Sequence, residues 1–202
     1  MGTKTISYII AFAALAIALN LYGPNIPAPY MQTFSYTLWE IPIVTVFLLC
    51  GAKVGCLAAL ISASVPFAIS QENPMPSILY FLIATVSMLL GISIAKFYAI
   101  KNSIRNNLAL ILLFTAFGAI FRTLVMVLLY RTFIGVPPPL GYSLPETAVT
   151  SLIVSRVFFD TSLALYTIPA GYLFTLILKP FCRKFKPSQK ISSKPQGQIL
   201  RL

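Results

Sequence analysis

CGAKVG, residues 50–55, decides how many helices this chain has. Apolar runs flank it, residues 38–49 before and 54–69 after, and each falls short of the about 20 residues that cross a bilayer. Read as one element they form a single long, kinked span. Two glycines around Lys53 favour a tight turn between two helices instead. The apolar segments then number six, at residues 6–22, 38–49, 54–69, 78–98, 108–130 and 157–178.

Composition places these segments in a membrane. Of 202 residues, 58% are hydrophobic and only 9% charged, with a mean hydropathy of +0.87, more apolar surface than a soluble domain needs. The opening, Lys4 followed by residues 6–19, has the outline of a secretory signal. It is read as the first span, because the charge distribution requires it. Fifteen Lys and Arg stand against four Asp and Glu, a formal charge of +11. In a soluble chain this would suggest nucleic acid. With six spans and the amino terminus inside, however, Lys4, Lys53, Lys96, Lys101, Arg105, Lys179, Arg183, Lys184, Lys186, Lys190, Lys194 and Arg201 share the cytoplasmic face. Only Arg131, Glu72 and Glu146 lie outside. That is the asymmetry of a multi-pass protein with both termini cytoplasmic, and no nucleic-acid partner is called for.

Several activities are excluded by what is missing. The chain has no histidine, the commonest general base and metal ligand. Cys50, Cys56 and Cys182 lack metal-ligand spacing and read as reduced, packed thiols. No Gly-x-Ser-x-Gly elbow, paired carboxylates or phosphate-binding loop occurs. The expectation is a protein that is not an enzyme and holds neither metal nor cofactor.

The outer connections differ from the inner ones. GPNIPAPYMQTFSY (23–36), QENPMPS (71–77) and IGVPPPLGYSLPETAVTS (134–151) are rich in proline and aromatic or small residues, as a stiff lid over an outward-facing cavity would be. Residues 1–180 form the membrane domain in this reading. Residues 181–202 form a basic tail, expected to be disordered and to touch anionic lipid.

Within the spans, Arg122, Arg156 and Asp160 need an interior or wet environment, since a charge at the bilayer centre costs on the order of 2.5–3.5 kcal/mol. Arg156 and Asp160 are spaced to pair on one helix face, and Arg122 to join them. Such a cluster is either an ion-pair clasp between helices five and six or part of a ligand pocket, and the two roles are compatible. Glu40 suits the first turn of helix two, beside Pro42, where a carboxylate complements the helix dipole. Next to Tyr36 and Trp39 it also suits a wall for a flat heterocycle, to which Tyr80 and Tyr130 would add. Along the first helix Ser7, Ala11, Ala14 and Ala18 line one small-residue face, and Ala14 with Ala18 makes a small-xxx-small pair, a docking surface for another helix.

These features together resemble the substrate-binding S components of energy-coupling factor (ECF) transporters. The resemblance lies in the length, the six helices, AALAIA (13–18) of helix one, and WEIPIVTVFLLCGAKVG (39–55). An acidic or polar residue before Ile-Pro often opens helix two in that family, and a Gly-x-x-x-Gly-like turn follows. Where the family frequently has Gly-Pro in the turn, this chain has Gly51-Ala52. The resemblance implies an all-α membrane subunit in a prokaryotic plasma membrane that captures a vitamin-like small molecule from outside. It also implies docking through Ala14 and Ala18 onto an EcfT-like transmembrane coupling protein that works with two cytoplasmic ATPases, and a place for Glu40 at the substrate site. Riboflavin is the first expectation by motif. The two arginines would also suit an anionic vitamin and disfavour a cationic one. The alternative is a structural or assembly membrane protein whose charges only clasp helices.

Overall fold

The computed structural model describes residues 3–69, 74–104, 106–137, 141 and 143–184. Six helices and one short hairpin make up the order α1 (Thr3–Tyr22), β1 (Ile26–Ala28), β2 (Met31–Tyr36), α2 (Glu40–Cys50), α3 (Ala52–Ile69), α4 (Pro74–Lys101), α5 (Asn107–Phe133) and α6 (Glu146–Lys184). Outside the described residues lie Glu72, Arg105, the prolines at 138 and 139, and the tail from 185 onward. The Cys182 side chain is likewise outside them, while Cys50 and Cys56 are half-buried.

CGAKVG is a turn between helices. Gly51 has φ 99°, a conformation that suits glycine, and its amide donates to the Phe47 carbonyl at 2.9 Å, closing α2. Gly55 serves a different purpose. A Cβ at this position would come within 2.5 Å of the Phe47 Cβ, so only hydrogen lets α3 fold back this closely on α2. α2 is 11 residues long, about 16 Å at 1.5 Å per residue, roughly half of a 30 Å hydrocarbon core. Four helices, α1, α4, α5 and α6, contain stretches long and apolar enough to cross a membrane; α2 and the span Ala52–Val65 are apolar but shorter.

Alanines are buried between the helices, while many large apolar side chains are left on the surface. Ala13, Ala16, Ala58, Ala59, Ala84, Ala95 and Ala164 are buried, while Ile10, Leu112, Leu128, Phe158 and Ile177 are each 60% exposed or more. Close helix approach inside and an apolar coat outside are what lipid rather than water demands. Buried hydroxyls return their hydrogen bonds to the preceding turn, as Ser62 does to the Ala58 carbonyl and Thr115 to that of Ile111.

In sequence order, α1 packs on α2 and α3, α2 on α3 and α6, α4 on α3 and α5, and α5 on α6. The start of α1 meets the end of α2 and the start of α3 in a cluster of Ile9, Val46, Val54 and Ala58. The end of α6 shares a cavity with the ends of α2 and α4. Both helical termini therefore lie at the end that carries Lys53, Lys96, Lys101 and Lys179.

Besides α4 starting at Pro74, inside the expected loop at 71–77, and α6 running to Lys184, into the expected tail from 181, two features depart from the sequence reading. The segment at 23–36, expected as an irregular loop, contains an antiparallel pair, Ile26 opposite Tyr36 and Pro27 opposite Ser35, with an irregularity before Ala28 pairs with Met31. The last helix begins at Glu146, ahead of the expected 157, so Arg156 and Asp160 sit well inside it. Hydroxyl side chains masked that extension by diluting the apolar pattern. Thr150, Ser151 and Ser155 each bond back to the carbonyl four residues earlier.

We predict that Gly55→Leu lowers the thermal unfolding midpoint in detergent more than Gly51→Ala does. The first forces a steric clash with Phe47, whereas the second costs about 1–3 kcal/mol of backbone strain. Circular dichroism or differential scanning fluorimetry of the two variants reads the order.

Candidate functional site

The buried charges form one connected layer. Arg122 of α5 donates from Nη1 to Glu40 Oε2 of α2 at 2.7 Å and from Nε to Asp160 Oδ1 of α6 at 3.0 Å. All three residues are 1% exposed. The single hydroxyl proton of Thr85 on α4 is shared between the Phe81 carbonyl at 2.9 Å and the other Glu40 oxygen at 3.3 Å, and the Met88 sulfur lies 3.8 Å from Nη1. The hydrogen bonds of Glu40 thus go to α5 and α4 rather than to the amides of its own first turn. The expected clasp of helices five and six reaches further, through Glu40 to α2 and through Thr85 to α4. Beside it, Thr123 and Thr161 pair at 3.1 Å.

Arg156 occupies a different environment on the same layer. Its Nε lies 3.5 Å from Asp160 Oδ2, an ion pair in which both atoms are buried without a hydrogen-bond partner. Three aromatic rings surround its guanidinium, Phe34 at 4.5 Å, Tyr130 at 5.0 Å and Phe159 at 5.1 Å. Tyr80 stacks on Tyr130, centroids 5.1 Å apart. Cation–π contacts of this kind contribute about 0.5–2 kcal/mol each, the more so where water is excluded.

The hairpin covers this cage. Phe34 and Tyr36 of β2 each place a ring about 5 Å from Phe159, and Ala28 is buried against Phe159 and Leu163. Hydroxyls order the chain Tyr30, Tyr36, Ser162, with spacings of 2.6 and 2.7 Å. Ser162 donates to the Phe159 carbonyl at 2.9 Å. Its single proton being used there, Tyr36 donates to Ser162 and Tyr30 to Tyr36. Tyr166 donates to the Thr37 carbonyl at 2.7 Å and fixes the strand's exit. Between the hairpin and α6 a cavity of about 370 Å³ is lined by Pro24, Ile26, Tyr36, Leu38, Ser162 and Tyr166.

The structure therefore sorts the residues singled out from sequence. Glu40, Arg122 and Asp160 meet in the buried layer; Arg156, Tyr130 and Tyr80 adjoin it; Tyr36 stands above. Trp39 belongs to the apolar core, with its ring edge-on to Phe81. Sequence reasoning passed over Phe34, Phe159, Ser162 and Tyr166. The last three lie on α6 at spacings of three and four, on one face beside that of Asp160, and a helical period counted from Phe159 would have grouped them. Ala11, Ala14 and Ala18 are on the opposite side of the question, on an exposed face of α1 whose buried face is Ile9, Ala13 and Ala16. Among the described residues no cluster of His, Cys, Asp and Glu has the makings of a metal site.

The described residues thus form a bundle of six helices with a buried charged layer beneath a two-stranded hairpin. Among solved structures it matches the S component of a bacterial ECF transporter, with TM-score 0.68 and 20% identity over 89% of this chain and 98% of that one. That likeness establishes the fold. No protein-family model and no curated protein sequence matches the chain.

Removing one member of a buried ion cluster strands the others, at about 3–5 kcal/mol. Arg122→Met should therefore lower stability by about that amount. Arg122→Lys should recover little, since one ammonium cannot bridge two carboxylates as a planar fork does. Thermal unfolding of both variants, followed by fluorescence, distinguishes this from a merely local contact, which would leave the midpoint unmoved.

Proposed function

We propose that this chain is the solute-binding S component of an ECF-type transporter, spanning the plasma membrane six times with both termini in the cytoplasm. It captures a vitamin or related micronutrient from outside and delivers it with an EcfT-like coupling protein and two ATPases. The observation that carries the reading is the Arg156–Asp160 pair. It offers one unused donor and one unused acceptor, buried under an aromatic hairpin, in a chain with the fold of an S component. A purely structural clasp accounts for the charge of Arg156, which balances the second carboxylate, but not for a pair left without a hydrogen bond.

The solute enters beneath the hairpin, where the cavity beside Tyr36, Ser162 and Tyr166 falls in the 300–1,000 Å³ range of small-molecule sites. Tyr36 lines that cavity; Tyr80, Tyr130, Arg156 and Asp160 lie outside its lining, and they supply ring faces and polar contacts as the hairpin shifts to admit the solute. Glu40 and Arg122 hold these groups in place, and Trp39 anchors the start of α2 behind them. Because the layer's two guanidinium groups are matched by two carboxylates, a neutral planar solute suits it better than an anion. Riboflavin, to which the helix-two motif points, heads the panel to be tried. Ala11, Ala14 and Ala18 form the face that docks on the coupling protein.

Mass spectrometry of gently purified protein should show a vitamin at near one-to-one occupancy; an empty protein that binds nothing from a vitamin panel would refute the proposal. Arg156→Gln should weaken binding about ten- to hundredfold, the value of a charge-assisted hydrogen bond, and lower the unfolding midpoint by less than Arg122→Met does, since Arg156 pairs with one carboxylate where Arg122 bridges two. Ala14→Trp should bind solute normally but abolish uptake by cells that express the full transporter. Normal uptake in that variant would remove the docking face from the proposal.

A further inference from the structure

At the opposite end of the bundle from the hairpin, a second cavity of about 460 Å³ opens between α2, α4, α5 and α6. Its walls are apolar, with Leu48, Leu110, Phe114 and Leu176 among them, and Lys96 and Lys179 also line it. Both lysines are exposed. No carboxylate lines this cavity, and every ion pair among the described residues belongs to the Arg122 layer. Two cations thus stand uncompensated over an apolar well in a chain with only four acidic residues in all.

We propose that this cavity is a binding site for an anionic phospholipid. The two halves of the site require an amphiphile. A small aqueous anion would gain nothing from the leucine walls, and a bare acyl chain would gain nothing from the lysines. The well also continues onto the outer surface, because Ile100, one of its lining residues, is 70% exposed. An acyl chain can therefore run from the cavity along the apolar flank of α4 while its phosphate stays between the lysines at the interface, the position that long cationic side chains favour. The lysines lie at the end where basic residues concentrate, the end that faces the anionic cytoplasmic leaflet under the positive-inside rule. The inference needs only that the chain lies in a bilayer, so its outcome is independent of which solute, if any, the hairpin end binds.

Native mass spectrometry of the full chain in detergent, supplemented with equal phosphatidylglycerol and phosphatidylcholine, tests it. One phosphatidylglycerol should be retained per chain in preference to phosphatidylcholine. Retention should fall about fivefold with Lys96→Gln or Lys179→Gln and about thirtyfold with both; these exposed substitutions should leave the size-exclusion profile intact. Leu110→Trp, which fills the well and spares the lysines, should also lose the lipid, and excess inorganic phosphate should not displace it. Equal retention of the two lipids, unchanged retention in the double lysine variant, or displacement by phosphate alone would overturn the proposal. So would cross-linking of position 179 to an acidic partner chain without any lipid preference, which would assign the cavity to a protein contact.

Discussion

The guanidinium of Arg122 is the constraint on which the bundle depends. From one planar group it reaches a carboxylate on α2 and another on α6, and so fixes the relation of three helices that lipid would otherwise leave free to slide. In a bilayer the driving force that packs soluble cores is absent, because an exposed leucine is as comfortable in lipid as a buried one. Register must then come from directional contacts. The Arg122 fork supplies the strongest, and the alanine-lined interior supplies the close approach that makes it reachable.

The same arithmetic separates the roles of the two arginines. Arg122 has carboxylate partners on both sides. Arg156 is held mainly by aromatic faces, which attract a cation without using up its N–H groups. A group held in that way keeps its hydrogen-bonding capacity for something else. Burial alone does not distinguish the two, since both are sealed from solvent; what each one touches does.

Much of this was legible in the sequence, and unevenly so. The turn at Gly51 and the break into two short helices followed from glycine chemistry around Lys53. The pairing of Arg156 with Asp160 followed from spacing. The partner of Glu40 did not, because the link to Arg122 spans 82 positions of sequence and depends on how α2 and α5 sit against each other, which no local pattern encodes. Capping chemistry explained Glu40 adequately by itself and concealed the stronger contact. The hairpin was hidden by its prolines, which argue against strands in general but are tolerated at an unpaired edge. The early start of α6 was hidden by hydroxyl residues that look polar in sequence yet satisfy themselves within the helix.

The charged layer has one more consequence, and it is electrical. Moving a single elementary charge across a membrane potential of 100 mV involves about 2.3 kcal/mol of work. Glu40 and Asp160 balance Arg122 and Arg156 within one connected layer, so displacing that layer along the membrane normal transfers no net charge. Whatever the membrane potential does to this bundle it therefore does through charges outside the layer, such as Lys96, Arg131 and Lys179, and not through the buried ones.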